Sequence, residues 1–157
     1  YRLASVNWLG GEKSKTLELV IDQPDYSPIK ISDCERVSKT ASAILDVEDV
    51  IHQQYELRVS SPGIDRDLFT INDYLHFCNH EVKIWLHQPM LLPNGNLQSR
   101  VRGVIKQANI ETISIKLTDI DDVLNIDFST IDRCKLELTD KLIKTTNPKN
   151  NSTKEQV

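Results

Sequence analysis

Residues 55–69, YELRVSSPGIDRDLF, limit the possible folds more than any other stretch, because a strand pattern, a chain reversal and a charged cluster meet there without a gap. Tyr55, Leu57 and Val59 alternate with Glu56, Arg58 and Ser60, the period of two that marks a half-buried strand. Proline presets φ and glycine accepts a positive φ, so Ser61-Pro62-Gly63-Ile64 is predicted as a type II turn that stops this strand. Beyond it stand Asp65, Arg66 and Asp67, then the apolar pair Leu68-Phe69, which must find a core again. The reversal suggests a division of the chain, and 157 residues accommodate two small domains.

Ahead of this stretch, residues 1–8, YRLASVNW, read as a strand already under way at Tyr1, so a natural N-terminus is expected upstream. Gly10-Gly11 and the polar run to Thr16 predict a hairpin loop, and Leu17, Leu19 and Ile21 alternate along the partner strand. Pro24 and Pro28 then bar any continuation of the ladder. Ser32-Asp33-Cys34-Glu35 has the spacing of a capping box, followed by Cys34, Val37, Ala41, Ile44 and Leu45 at helical intervals. The first unit is thus predicted as β-β-α-β, one helix covering three strands, with an acidic return loop at 46–54.

After the Pro-Gly turn, Thr70 can cap a short helix through Ile71, Tyr74, Leu75 and Cys78, ended by a left-handed Asn79. From Glu81 the pattern holds only strands: Val82, Ile84 and Leu86; a Pro93-Asn94-Gly95 turn; Val101, Gly103 and Ile105; Ile113, Ile115 and Leu117; 123–128; and a last strand through Cys134 and Leu136. Short strands separated by turns predict a small barrel or sandwich, and Gly103 fits a bend too tight for a side chain. Residues 139–157 are polar and Lys- and Asn-rich, and a disordered tail is expected.

A hydrophobic share of 39% with 27% charged residues is that of a soluble globular protein; no apolar run approaches the ~18 residues of a membrane span, and no signal peptide is evident. Cys34, Cys78 and Cys134 are odd in number and scattered, so reduced thiols are expected. His76, Cys78 and His80 are the tightest group of metal-ligand types, but Cys78 points away from a histidine pair on a helix, and no metal or cofactor is expected. Phosphate-binding and hydrolase motifs are absent from the sequence. Ser60, Ser61, Asp65 and Arg66 form its only compact polar group; with no histidine nearby in sequence, they read as backbone partners and an Asp65-Arg66 clamp, or as a contact surface, and not as a catalytic site.

Charge is unevenly spread within the net of −4: residues 1–78 carry 8 Lys and Arg against 13 Asp and Glu, whereas 79–138 carry 7 against 8. The acidic first half suits a basic partner better than bare phosphate. Arg100, Arg102 and Lys106 share one parity on their strand, opposite Val101, Gly103 and Ile105, a basic stripe able to meet a phosphate backbone. Trp85 alternates with Ile84 and Leu86, so one of these two faces is exposed.

The segment VSSPGIDRDLF resembles the signature of the bacterial ribosome maturation factor RimP family, in which VSSPG is followed by an aliphatic residue, DR, proline and LF. The likeness extends through ISDCERVSKTASAILDVED upstream and FTINDYLHFCNHEVKIWL, Gly103 and DFSTIDRCKLEL downstream. It implies an α+β protein: a KH-like α/β domain at 1–67, normally preceded by an N-terminal helix, and a small SH3-like or Sm-like β-barrel at 68–138. It also implies a cytoplasmic, non-enzymatic assembly factor. Such a factor, acting as a monomer and away from membranes, binds the small ribosomal subunit during maturation, near the decoding region, beside a basic ribosomal protein and ribosomal RNA. Ser60, Ser61, Pro62, Gly63, Asp65 and Arg66 match the signature, and with Arg58 they are the implied binding or junction residues; Arg100, Arg102 and Lys106 are the candidate RNA contacts. Asp67 replaces the usual proline, which implies a less rigid linker. The first domain has no G-x-x-G loop for clamping a nucleic-acid backbone, so a stand-alone RNA-binding regulator reading RNA through the barrel is the alternative.

Overall fold

Alternation of apolar and polar residues organises both sheets. The computed structural model describes residues 1–11 and 14–146, which fall into two compact units, Tyr1–Gly63 and one starting at Ile64. In the first, β1 (Arg2–Leu9) pairs antiparallel with β2 (Thr16–Asp22), and β3 (Glu56–Ser60) lies parallel to β2 after a crossover through α1 (Ile31–Glu48). The register sets Trp8, Leu17 and Leu57 in one row and Val6, Leu19 and Val59 in the next, so the apolar side chains share a face. α1 covers the β3 side of that face, where Cys34 and Ser38 flank Val59. Its stripe is only half-buried at Cys34, Val37, Ala41 and Leu45, while Ile44 is 56% and Val47 82% exposed.

The helix begins two residues earlier than Ser32-Glu35 predicts. Lys30 is the N-cap in extended conformation, and the Asp33 carboxylate, not Glu35, accepts the Lys30 amide at 2.9 Å. The Tyr1 hydroxyl also donates to Asp33 at 2.7 Å, and these bonds, Tyr1 first, hold its carboxyl below the usual range. Asp46 and Glu48, expected in an acidic return loop, belong to the last turn of α1, which Asp49 ends in the left-handed conformation. The turn of the signature is also displaced: it lies at Ile64-Asp65, and Pro62-Gly63 leads into it without forming it.

In the second unit α2 (Ile71–His76) is capped by Thr70 as expected, and Asn79 adopts a left-handed φ of 65°, which aims its amide at the Ile105 carbonyl. Five strands follow: β4 (Glu81–Leu91), β5 (Leu97–Ala108), β6 (Thr112–Leu117), β7 (Val123–Asp127) and, after a 3-10 turn at Phe128–Thr130, β8 (Ile131–Leu136). Their order is β7-β6-β5-β4-β8, all antiparallel. The expected closed barrel is therefore corrected to an open sheet, since no ladder joins β7 to β8 among the described residues. Side chains from outside the sheet fill the core instead: Tyr74 from α2, set edge-on to Phe128 at 5.5 Å, together with Leu68, Leu92 and Leu142.

Leu142 belongs to α3 (Asp140–Thr146), which corrects the expectation of disorder at 140–146; residues 147–157 lie outside those described. Gly103 lies where β5 and β6 approach most closely, and a Cβ there would strike Ile115 Cγ2 and the Lys116 carbonyl oxygen. Cys134 is buried, Cys34 and Cys78 only partly. Burial pushes the Cys134 thiol up to about 12.

Gly103→Ala is expected to lower unfolding stability in urea by about 1–3 kcal/mol, because overpacking outweighs the ~0.5–1 kcal/mol that alanine gains over glycine in an element interior. Gly11→Ala, with nothing within 4 Å of its Cβ, should change it by under ~0.5 kcal/mol. Thiol reagents at mildly alkaline pH should leave Cys134 unmodified in the native protein and label it once urea unfolds the chain; labelling at equal rates in both states would contradict its placement.

Candidate nucleic-acid interface

Because Val82, Ile84, Leu86, Val101, Ile105, Ile115, Cys134 and Leu136 turn inward, their neighbours in sequence must turn outward. The outer face of the five-stranded sheet therefore carries Lys83 and Trp85 on β4, Arg100 and Arg102 on β5, Lys116 on β6, and Arg133 and Lys135 on β8. Trp85 stands directly opposite Arg100 on one side and Arg133 on the other. The Lys83, Arg100 and Arg133 cations lie 5.6, 5.8 and 5.4 Å from its ring centroid. Half-buried among them, the indole is a flat apolar island in a cationic field.

Part of that charge is answered locally. Asp67 takes Arg133 in a two-pronged bond, 2.9 Å to Nε and 3.1 Å to Nη2, which raises the guanidinium further above its ordinary value. Asp65 meets Lys135 at 2.7 Å, and the hydrogen bond from Lys135 holds the Asp65 carboxyl below the usual carboxylate range. Glu137 is shared by Arg102 at 2.9 Å and Lys83 at 4.0 Å, and Asp121 pairs with Lys116 at 2.9 Å. Among the described residues, Arg100 and Lys106 have no carboxylate partner.

The signature thus has two structural halves. Residues 66–68 run antiparallel to β8 as a short edge piece: the Leu136 amide donates to the Arg66 carbonyl at 3.0 Å and the Leu68 amide to that of Cys134 at 2.8 Å, with Asp67 bridged to Lys135. Alternation sends Asp65 and Asp67 to the basic face and Arg66 inward, 9% exposed and over the Phe77 ring at 5.8 Å. Asp65 and Arg66 therefore do not clamp each other, as expected from sequence, but hold opposite sides of the same edge. The bridge uses the amides of Leu68 and Leu136 and not that of Asp67, so the family's proline fits here without loss of a ladder bond, and this chain's aspartate adds a grip on Arg133.

Ser60 ends β3, half-buried; Ser61 is exposed, and Pro62 and Gly63 follow it out of the strand. Arg58 is exposed on β3 opposite Glu18, on the face away from α1. Lys106 shares the outward parity of Arg100 and Arg102, yet it sits at a register shift roughly 13 Å beyond Arg102 along β5, so the compact cluster is built from Arg100, Arg102, Lys83, Arg133 and Lys135 instead. The same parity rule applied to Lys83-Trp85 and Arg133-Lys135 finds these missing members. His80 is half-buried with its ring edge-on to Phe77 at 5.8 Å, and no group of three metal-ligating side chains occurs among the described residues.

A carboxyl depressed in the folded state contributes stability that is full above its unfolded value, ~3.9, and lost as pH falls below it. Asp65→Asn is therefore expected to lower stability slightly at pH 7, by less than about 1 kcal/mol for so exposed a pair, and not at all near pH 2. Equal losses measured in urea at both pH values would show that the ion pair is not the cause.

Residues 1–65 match the family model described as the RimP N-terminal domain. That span holds β1, β2, α1 and β3 and runs through VSSPG to Asp65. No described helix is long and apolar enough to cross a membrane. The β-β-α-β unit and the signature that closes it thus coincide with a RimP N-terminal domain over residues 1–65, which supports the RimP family for this chain.

Proposed function

We propose that this chain is a non-enzymatic assembly factor that binds the small ribosomal subunit during its maturation, its acidic first unit facing a basic ribosomal protein and the basic face of its second unit meeting ribosomal RNA. The matched RimP N-terminal domain supports the ribosomal role. The observation that carries the rest is the separation of charge between two surfaces. On α1, Asp46 and Glu48 stand at the C-terminal end with Asp49 as cap and no basic residue in the last turn. Acidic groups at the negative end of the helix dipole cost about 0.3–1 kcal/mol each at an exposed site, and a cationic partner would offset that cost. On the second unit the Arg100–Trp85–Arg133 row supplies the opposite sign.

The first unit is read as KH-like from its β-β-α-β order, and the second as SH3-like or Sm-like from a four-strand meander whose fifth strand returns, after a 3-10 turn, beside the first. Arg58, Ser60, Ser61, Pro62, Gly63, Asp65 and Arg66 are assigned to binding and to the connection between the units. Asp65 and Arg66 serve it indirectly, by fixing the edge that borders the basic face. The factor acts as a cytoplasmic monomer without a cofactor.

Co-sedimentation with immature small subunits tests this reading. Binding is expected at low salt and should weaken as salt rises, since each phosphate contact releases counterions. Arg100→Ala with Arg102→Ala, and separately Asp46→Lys with Glu48→Lys, should each weaken it. Absence of binding at low salt, or indifference to both charge changes, would refute the assembly role; equal affinity for a short single-stranded RNA and for the subunit would favour a stand-alone RNA-binding regulator.

A further inference from the structure

We infer that Trp85 is a stacking platform for one unpaired nucleobase, with Arg100 as the cation that leaves the indole to hold the adjoining phosphate. This deepens the reading that the basic face meets RNA, and rests on it. Three cations within 6 Å of one indole repel one another, and only two of them are compensated: Arg133 by Asp67, and Lys83 by the more distant Glu137. Arg100, directly across from Trp85 in the ladder, has its contact with the ring and no carboxylate partner among the described residues. It is the cation that can move.

Magnitudes favour the exchange. Stacking a base on an aromatic side chain outweighs an exposed cation–π contact, and the displaced guanidinium gains a charge-assisted bond to phosphate. A duplex cannot offer such a base, because its faces are already stacked, so the ligand is a single-stranded segment or a flipped-out nucleotide. Polarity across the site also follows. The Asp67 carboxylate on the β8 side repels phosphate, and Glu137 already holds Arg102, so the strand's phosphate meets the β5 side at Arg100. With Trp85 as the one tryptophan on this face, the site reads the presence of a base and not a sequence.

Fluorescence of the Trp8→Phe protein, in which Trp85 is the only indole, provides the test. A short single-stranded RNA should quench it, and an abasic strand of equal charge should not. Trp85→Leu should weaken binding of that RNA, followed by a label on its end, about 5- to 100-fold, and Trp85→Phe should restore most of it. Equal quenching by the abasic strand, or unchanged affinity in Trp85→Leu, overturns the stacking role. In that case the RNA-contact reading still stands if Arg100→Ala weakens binding, and falls with it if Arg100→Ala has no effect. Stronger quenching by a poly-glutamate peptide than by RNA would assign the face to an acidic protein segment and overturn the inference.

Discussion

The strict alternation along β4, β5 and β8 is the constraint from which most of the second unit follows. Once Val82, Ile84, Val101, Ile105, Cys134 and Leu136 are committed to the core, Lys83, Trp85, Arg100, Arg102, Arg133 and Lys135 have nowhere to go but the opposite face. A slip of one residue in β5 or β8 would bury at least two cations, and in β4 Lys83, so the hydrophobic core also fixes the register of the basic face. The edge piece at 66–68 obeys the same rule, which is why one short motif can supply both a buried arginine and two carboxylates that restrain the face beside it.

The two units are held very differently. In the second, a continuous cluster from Leu68 to Leu142 is buried, each large apolar side chain contributing about 1.5–3 kcal/mol. In the first, Leu17 and Ile21 are the only buried apolar side chains among the described residues, α1 buries none completely, and Trp8, Ile44 and Val47 remain largely exposed. Its integrity leans on strand pairing, on the Arg2–Asp22 ion pair at 2.8 Å and on the Asp33 cap, which is a slender basis for a sheet of three strands.

Much of this was legible from residue patterns. Strand patterns, most of them period-two runs, located the eight strands of the described residues, and Thr70, Asn79 and Pro93-Asn94-Gly95 marked helix and turn ends, because those signals are local. What was misplaced depends on competition between neighbours. Ser32 and Lys30 both precede a helical run, and the Asp33 carboxylate decides for Lys30 by accepting its amide, while the distant Tyr1 hydroxyl holds the other oxygen. Closure of a barrel cannot be read from strand count, since it depends on whether Tyr74, Leu68 and Leu142 occupy the space a last ladder would have covered. The stripe Arg100, Arg102 and Lys106 was half of the candidate site; the other half lay on strands whose adjacency only the sheet order reveals.

Opposite charges on separate units are the core of the functional account, and a factor built this way would read two kinds of macromolecule at once. Site-directed photocrosslinking tests that most directly: a photoreactive residue placed at 48 on α1 and, in a second protein, at 100 on β5, each bound to immature small subunits. The account predicts a ribosomal protein captured from position 48 and ribosomal RNA from position 100. RNA captured at 48 with protein alone at 100, or the same chain captured from both, would contradict it.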